Sequence, residues 1–290
     1  MSFSSEVKEE LSKINNLTKK NLVKEELIGY LISSNASVVK SKTIRYATES
    51  EYNINRFSKL LANLQIDHKI EVDGKSFIIT LKTKEIVFID IDEGKIILPV
   101  NKTLNEEEKR ARVRGVFLGG GSMNNPQNKY HLEIILSNEN NLQEMKKILE
   151  EFQINVKVLV SINKSILYLK EGEEISKLLA FMGAGKAVLK FEEIRVQREM
   201  RGRVNRLVNC ETANLNKTIN ASVEQIEAIK KLQENHQFNK LNENLKEIAL
   251  LRLEYPEMSL VELGKKLEKP VGKSGVNYRL KKIIEIANGG

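Results

Sequence analysis

The order of secondary-structure signals in the first two thirds of the chain runs twice, and this repetition constrains the fold more than any single motif. After an opening helix at residues 4–17, residues 20–34 read as a helix carrying Leu22, Leu27 and Leu31, with Gly29 among them. A strand pair follows at 36–45. The helix expected at 52–65 spaces Phe57, Leu60, Leu61 and Leu64 along one face. Strands at 68–72 and 76–81 flank Asp73-Gly74, a pair that signals a tight hairpin. A short closing helix is expected at 83–91, then a connection at 92–104. The order restarts with a helix at 105–118. Next come a polar hairpin with Asn124-Asn125-Pro126 at its tip and a strand returning through 131–136. A helix at 141–152, strands at 156–161 and 165–170 and a helix at 173–182 complete the second copy. Sequence identity between the copies is low, so the duplication rests on order and length. The fold class expected is α+β: a duplicated α/β domain, followed by an all-α domain.

Two helices anchor the copies. LIGYLISSN at 27–35 and VRGVFLGGG at 113–121 each place a glycine third in a nine-residue segment, at Gly29 and Gly115. This resembles the LAGLIDADG homing-endonuclease motif, in which two such helices pack side by side at a pseudo-twofold axis. The resemblance implies that glycine is needed there because a side chain would hold the helices apart. It also implies an acid at the eighth position of each segment, to hold the metal ions that activate water. Here those positions are Ser34 and Gly120. Neither can ligate a metal as a carboxylate does, so the expectation is a retained scaffold without nuclease chemistry, metal or other cofactor.

The C-terminal stretch 247–287 reads as two short helices and a basic third, the layout of a helix-turn-helix. Pro256 cannot continue a helical hydrogen-bond ladder and stops the first helix. Ser259 with Glu262 has capping-box spacing and starts the second, which carries Leu260, Leu263 and Leu267 on one stripe and Gly264 as a point of close approach. Residues 268–272 form the turn, longer than the usual three or four. Ser274 is the expected cap of the third helix. Val276, Leu280, Ile283 and Ala287 recur at helical spacing and face inward, leaving Ser274, Asn277, Tyr278, Lys281 and Lys282 outward, Lys273 at the entry and Arg279 on the flank. Short polar groups followed by cations suit reading base edges and then gripping phosphates. The competing reading is a solvated amphipathic helix in an ordinary bundle.

Between the two regions lies a basic segment. Arg195, Arg198, Arg201, Arg203 and Arg206 are relieved only by Glu199. Such a run is either a solvated linker helix or a contact to backbone phosphates. Gly183-Ala184-Gly185-Lys186 fails as a phosphate loop, because Ala180 occupies the leading glycine position and Ala187 supplies no hydroxyl after the lysine. Another capped helix is expected to begin at Ser222. His68, His131 and His236 are too scattered to suggest a site, and Cys210, the single cysteine, excludes an internal disulfide. The formal net charge of +8 favours a polyanionic partner without choosing between DNA, RNA and an anionic membrane. The polar start and the lack of a long apolar run lead us to expect a cytoplasmic chain.

The degenerate motif pair, the segment NRLVNCETANLNKT at 205–218 and the terminal SLVELGKKLEKPVGKSGVNYRLKKI at 259–283 together resemble the WhiA family of bacterial sporulation and cell-division regulators. The similarity runs over essentially the whole chain. The resemblance implies a nucleoid-associated protein that binds double-stranded DNA at promoters, with roles in cell division, chromosome segregation and sporulation. It also implies a duplicated domain without nuclease activity. Four segments are expected: 1–104 and 105–190 as the two halves, 191–221 as a basic linker and 222–290 as the DNA-binding domain. Two alternatives stay open: a metal-dependent LAGLIDADG-type endonuclease, or an interaction protein that recruits a division or transcription factor. No small-molecule substrate and no membrane partner are expected.

Overall fold

A computed structural model describes residues 2–40, 42–92, 94–98, 103–162 and 164–289, in two compact units, Met1–Glu199 and Met200–Gly290. The first unit is built from two matching sheets. Helices α1 (Phe3–Ser12) and α2 (Lys20–Leu31) precede strands β1 (Ala36–Val39) and β2 (Thr43–Thr48). Helix α3 (Glu51–Asn63) and strands β3 (His68–Asp73) and β4 (Ser76–Lys82) follow, giving the sheet order β1-β2-β4-β3. The second half repeats it. Helix α4 (Glu106–Gly120), strands β7 (Gly121–Met123) and β8 (Leu132–Leu136), helix α5 (Glu139–Glu151) and strands β9 (Lys157–Ser161) and β10 (Lys164–Leu169) give β7-β8-β10-β9. The equivalent strand order is the duplication that the order of sequence signals suggests.

The halves differ in how they close. Helix α6 (Gly172–Met182) closes the second. The helix expected at 83–91 is absent: a single 3-10 turn at Thr83–Glu85 leads to a hairpin of β5 (Asp90–Asp92) and β6 (Lys95–Ile97). Gly94 sits at φ +74°, a conformation glycine adopts without cost, and the isoleucines on both sides favour strands. Residues 93 and 99–102 of the expected connection lie outside the described residues. The opening helix also stops earlier than expected, at Ser12, and Asn16 beyond it joins a buried polar cluster.

Helices α2 and α4 pack so closely that their backbones touch. A Cβ on Gly29 would lie 2.6 Å from the Val116 amide nitrogen, and one on Gly115 would lie 2.9 Å from the Glu26 carbonyl carbon. Each glycine is therefore needed for the approach itself. Around this crossing the helices are joined by buried ion pairs. Arg56 donates from Nε to Glu26 Oε1 at 2.7 Å, and Arg114 Nε to Glu26 Oε2 at 3.0 Å. Asn16 Nδ2 adds a 3.0 Å bond to the same oxygen, while Arg112 pairs with Glu25 across the interface. Burial alone would raise the Glu26 carboxyl, but the Arg56 hydrogen bond and the Arg114 charge outweigh it and hold the group below the usual carboxylate range. Beyond the crossing the halves join through backbone: Ser34 N–H donates to the Ile135 carbonyl and Ser137 N–H to that of Ile32, each at 3.0 Å.

Helix α7 (Gly185–Glu234) is continuous. The start expected at Ser222 is not a start, and the boundaries expected at 190/191 and 221/222 both fall inside this helix. Its Asn- and Thr-rich middle is helical throughout, with Thr218 Oγ1 donating to the Asn214 carbonyl at 3.0 Å. Ser222 instead donates to the Pro256 carbonyl at 2.5 Å. Among the described residues no helix is long and apolar enough to cross a membrane.

Candidate nucleic-acid interface

The second unit packs the end of α7 with α8 (Glu243–Glu254), α9 (Leu260–Lys266) and α10 (Lys273–Ala287). Pro256 follows directly on the end of α8. Arg252, 2% exposed, donates Nη1 to the Met258 carbonyl at 2.8 Å and to that of Pro256 at 3.2 Å, satisfying two carbonyls of the turn between α8 and α9. Ser259 and Glu262 form the expected reciprocal capping box at the start of α9. Gly264 is the close-approach point: a Cβ there would come within 3.0 Å of Val276 Cγ2 on α10, and its own carbonyl accepts from the Val271 N–H at 3.1 Å. Glu247 Oε1 accepts from the Glu268 N–H at 2.6 Å, fixing the turn.

Val276, Leu280, Ile283 and Ala287 are all buried, so the rotation of α10 follows the apolar spacing. Lys273, Ser274, Tyr278, Lys281 and Lys282 are exposed, and Asn277 and Arg279 are half-buried. Tyr278, 71% exposed, stands out from the surface. One expectation is corrected. Ser274 does not cap α10; the helix begins two residues earlier than that cap implies, Gly272 occupies the cap position without a side-chain bond, and Ser274 lies in the first turn. Its hydroxyl is thereby left on the exposed face with Asn277 and Lys281.

The arginines of α7 are not equivalent. Arg195 pairs with Glu192 at 2.7 Å. Arg198 donates Nη1 to the Pro126 carbonyl at 2.7 Å and stacks over Tyr130 at 4.3 Å, so it fixes the hairpin tip at 124–126. Arg201, Arg203 and Arg206 lie on the exposed part of the helix. The start of α7 already holds an anion of the protein's own: Glu10 accepts from the Lys186 and Ala187 N–H groups at 2.8 and 2.9 Å. A carboxylate of this chain thus takes the place that a phosphate loop would offer to a nucleotide.

In the first unit, Ser34 and Gly120 sit where α2 and α4 end against β8. Ser34 is exposed, and a Cβ on Gly120 would lie 2.5 Å from the Ile135 carbonyl oxygen. The nearby acid on β8, Glu133, is engaged by Ser122 Oγ at 3.2 Å and faces His131 Nε2 at 3.4 Å. Among the described residues no three His, Cys, Asp or Glu side chains converge on a point that could hold a metal. The sheet face away from the helices carries Ile135, Ile166 and Leu159 in one row, by the register of β8, β10 and β9. The period-2 alternation of β10 is the signal that could have found this row.

A duplicated α+β scaffold with two glycine-packed central helices, joined to a helix-turn-helix domain, is the class of protein this structure defines. Two family models match, the WhiA LAGLIDADG-like domain over residues 109–201 and the WhiA C-terminal HTH domain over 204–287. A probable cell division protein WhiA of Clostridium novyi is 39% identical over 99% of this chain and 98% of its own length. The chain therefore belongs to the WhiA family. Its Clostridium acetobutylicum counterpart is 50% identical over a shorter match, covering 63% of this chain and 58% of that protein. Full-length DUF199/WhiA from Thermatoga maritima has the same fold, with a TM-score of 0.63 and 32% identity over 99% of this chain and 98% of that one.

Proposed function

We propose that this chain is a sequence-specific DNA-binding regulator of transcription that acts at promoters and does not cut DNA. The observation that carries the reading is the exposed face of α10, where Ser274, Asn277 and Lys281 share one side of a helix whose opposite side is locked into the core. Such a helix can enter a major groove, its polar residues meeting base edges and its lysines the phosphates. Arg201, Arg203 and Arg206 add charge for the backbone. The division protein names of the relatives support a role in cell division, and we extend it to chromosome segregation and, where it occurs, sporulation, in the cytoplasm at the nucleoid. Serine and glycine at positions 34 and 120 support the absence of catalysis, because metal-activated cleavage needs carboxylates there.

Immunoprecipitation of the protein from growing cells, with sequencing of the attached DNA, tests the proposal. It predicts discrete peaks upstream of a few genes; even coverage of the chromosome would contradict specific regulation. A second reading, favoured by the apolar row of Ile135, Ile166 and Leu159, is that the first unit also engages a transcription or division factor. It predicts a partner retained by the full chain and lost in Ile166→Lys.

A further inference from the structure

A cavity of about 750 Å³ lies on the flank of α10, opposite the start of α8. Lys240, Arg279 and Lys282 line it together with Gln237, Asn244 and Tyr278, and among the described residues no carboxylate does. Arg279 Nη1 is shielded from solvent yet has no hydrogen-bond partner among the described residues. A buried guanidinium nitrogen left unpaired costs free energy, and an oxyanion is the ligand that satisfies it best. The Lys282 ammonium reaches Glu285 at 3.1 Å, an exposed pair that a stronger anion would readily displace.

The position on α10 identifies the anion. At about 100° per residue, Gly275, Arg279, Lys282 and Ile286 form a stripe more than a third of a turn from the face of Ser274, Asn277 and Lys281, between that face and the buried side of the helix. A helix roughly 10–12 Å across nearly fills a major groove about 12 Å wide. When the outer face meets base edges, the flank therefore meets the phosphate wall. We propose that this cleft seats a backbone phosphate of the bound duplex, with Arg279 as the buried donor and Lys240, Lys282 and the Asn244 amide around it. The inference rests on the DNA-binding reading above and adds two elements that precede α9 to the interface, the Phe238–Lys240 turn and the start of α8. The cleft fixes the depth and register of α10 and carries no base preference of its own.

The test is the salt dependence of duplex binding by the full-length chain, read by fluorescence anisotropy for the wild type, Arg279→Gln, Arg279→Lys and Lys240→Gln. Circular dichroism confirms that each variant is folded, and exposed Lys240 gives a substitution that does not disturb the core. The proposal predicts that Arg279→Gln and Lys240→Gln each lower the slope of log K against log salt, by no more than about 0.9 together because they share one phosphate, equally on all sequences, and that Arg279→Lys restores most of the arginine's share. Folded variants with the wild-type slope would overturn the cleft while leaving DNA binding intact. A wild type that binds no duplex would overturn both. Saturable binding of ATP or inorganic phosphate that Arg279→Gln abolishes, with the duplex slope unchanged, would reassign the cleft to a small phosphorylated ligand and likewise overturn the proposal.

Discussion

Replacing Gly115 by alanine tests the reasoning about the α2–α4 crossing. The new methyl would meet the backbone of Glu26, with the carbonyl carbon at 2.9 Å and the Cα at 3.2 Å. Neither atom can swing aside as a side chain does, and Glu26 is also held by Arg56, Arg114 and Asn16. The helices must separate, straining that network. Overpacking of this kind costs about 1–3 kcal/mol and occasionally more, against roughly 1 kcal/mol gained from alanine's helix propensity and the smaller entropy of the unfolded chain. Because the clash is with backbone, the cost falls at the upper end of that range, and we expect a net loss of about 2 kcal/mol, or roughly 4–8 °C in the melting of the first unit. Gly202→Ala is the control. It lies on α7, where an added Cβ meets nothing closer than Arg206 Nη1 at 3.5 Å, so the propensity gain of about 0.5–1 kcal/mol survives. Scanning calorimetry of the full chain reads both variants. If Gly115→Ala melts at or above the wild type, the crossing is looser than described and the argument for glycine there fails.

The buried ion pairs and the exposed face of α10 give three more expectations. Glu26→Gln should cost about 3–5 kcal/mol at neutral pH in urea unfolding, because two buried arginines lose their counter-charge. Since the folded Glu26 pKa is depressed, its contribution is present above the unfolded value of about 4.3 and lost as the pH falls through the lower folded value. The variant should therefore lose less stability than the wild type below about pH 4.3, and identical acid profiles would count against the pairing. Replacing Lys281 and Lys282 together by alanine should lower the salt slope of duplex binding by about 0.9 for each phosphate left without a cation, and an unchanged slope would exclude them from the interface. Asn277→Ala should flatten preference among related sites, by about 1–3 kcal/mol between the best and a mismatched sequence; a uniform weakening on all sequences would assign Asn277 to the backbone instead.

Much of the fold is legible in the residues. The stripe of Val276, Leu280, Ile283 and Ala287 sets the rotation of α10, and Ser259 with Glu262 starts α9, because both signals are local and periodic. Gly29 and Gly115 announce a close crossing. Less legible are features that depend on residues distant in sequence. Nothing local in the sequence marks Glu25 and Glu26 as buried, since their partners Arg112 and Arg114 come from the other half of the duplication. Ser222 and Ser274 carry the chemistry of helix caps, yet one serves the Pro256 carbonyl and the other an exposed face, since the neighbouring turns already fix where the helices begin. The short hairpin after β4 replaces an expected helix because Gly94 and its flanking isoleucines outweigh a weak helical period. The cleft beside Arg279 is a product of packing between α8 and α10, which no spacing along one helix reveals.

The most direct test of a binding scaffold without nuclease chemistry is incubation of the pure full-length chain with supercoiled plasmid and Mg²⁺ or Mn²⁺, followed by electrophoresis before and after removal of protein. The account predicts retarded migration that reverts fully to the supercoiled form. Nicked or linear plasmid that appears only with metal would contradict the reading of Ser34 and Gly120, and unretarded plasmid would contradict the assignment of α10.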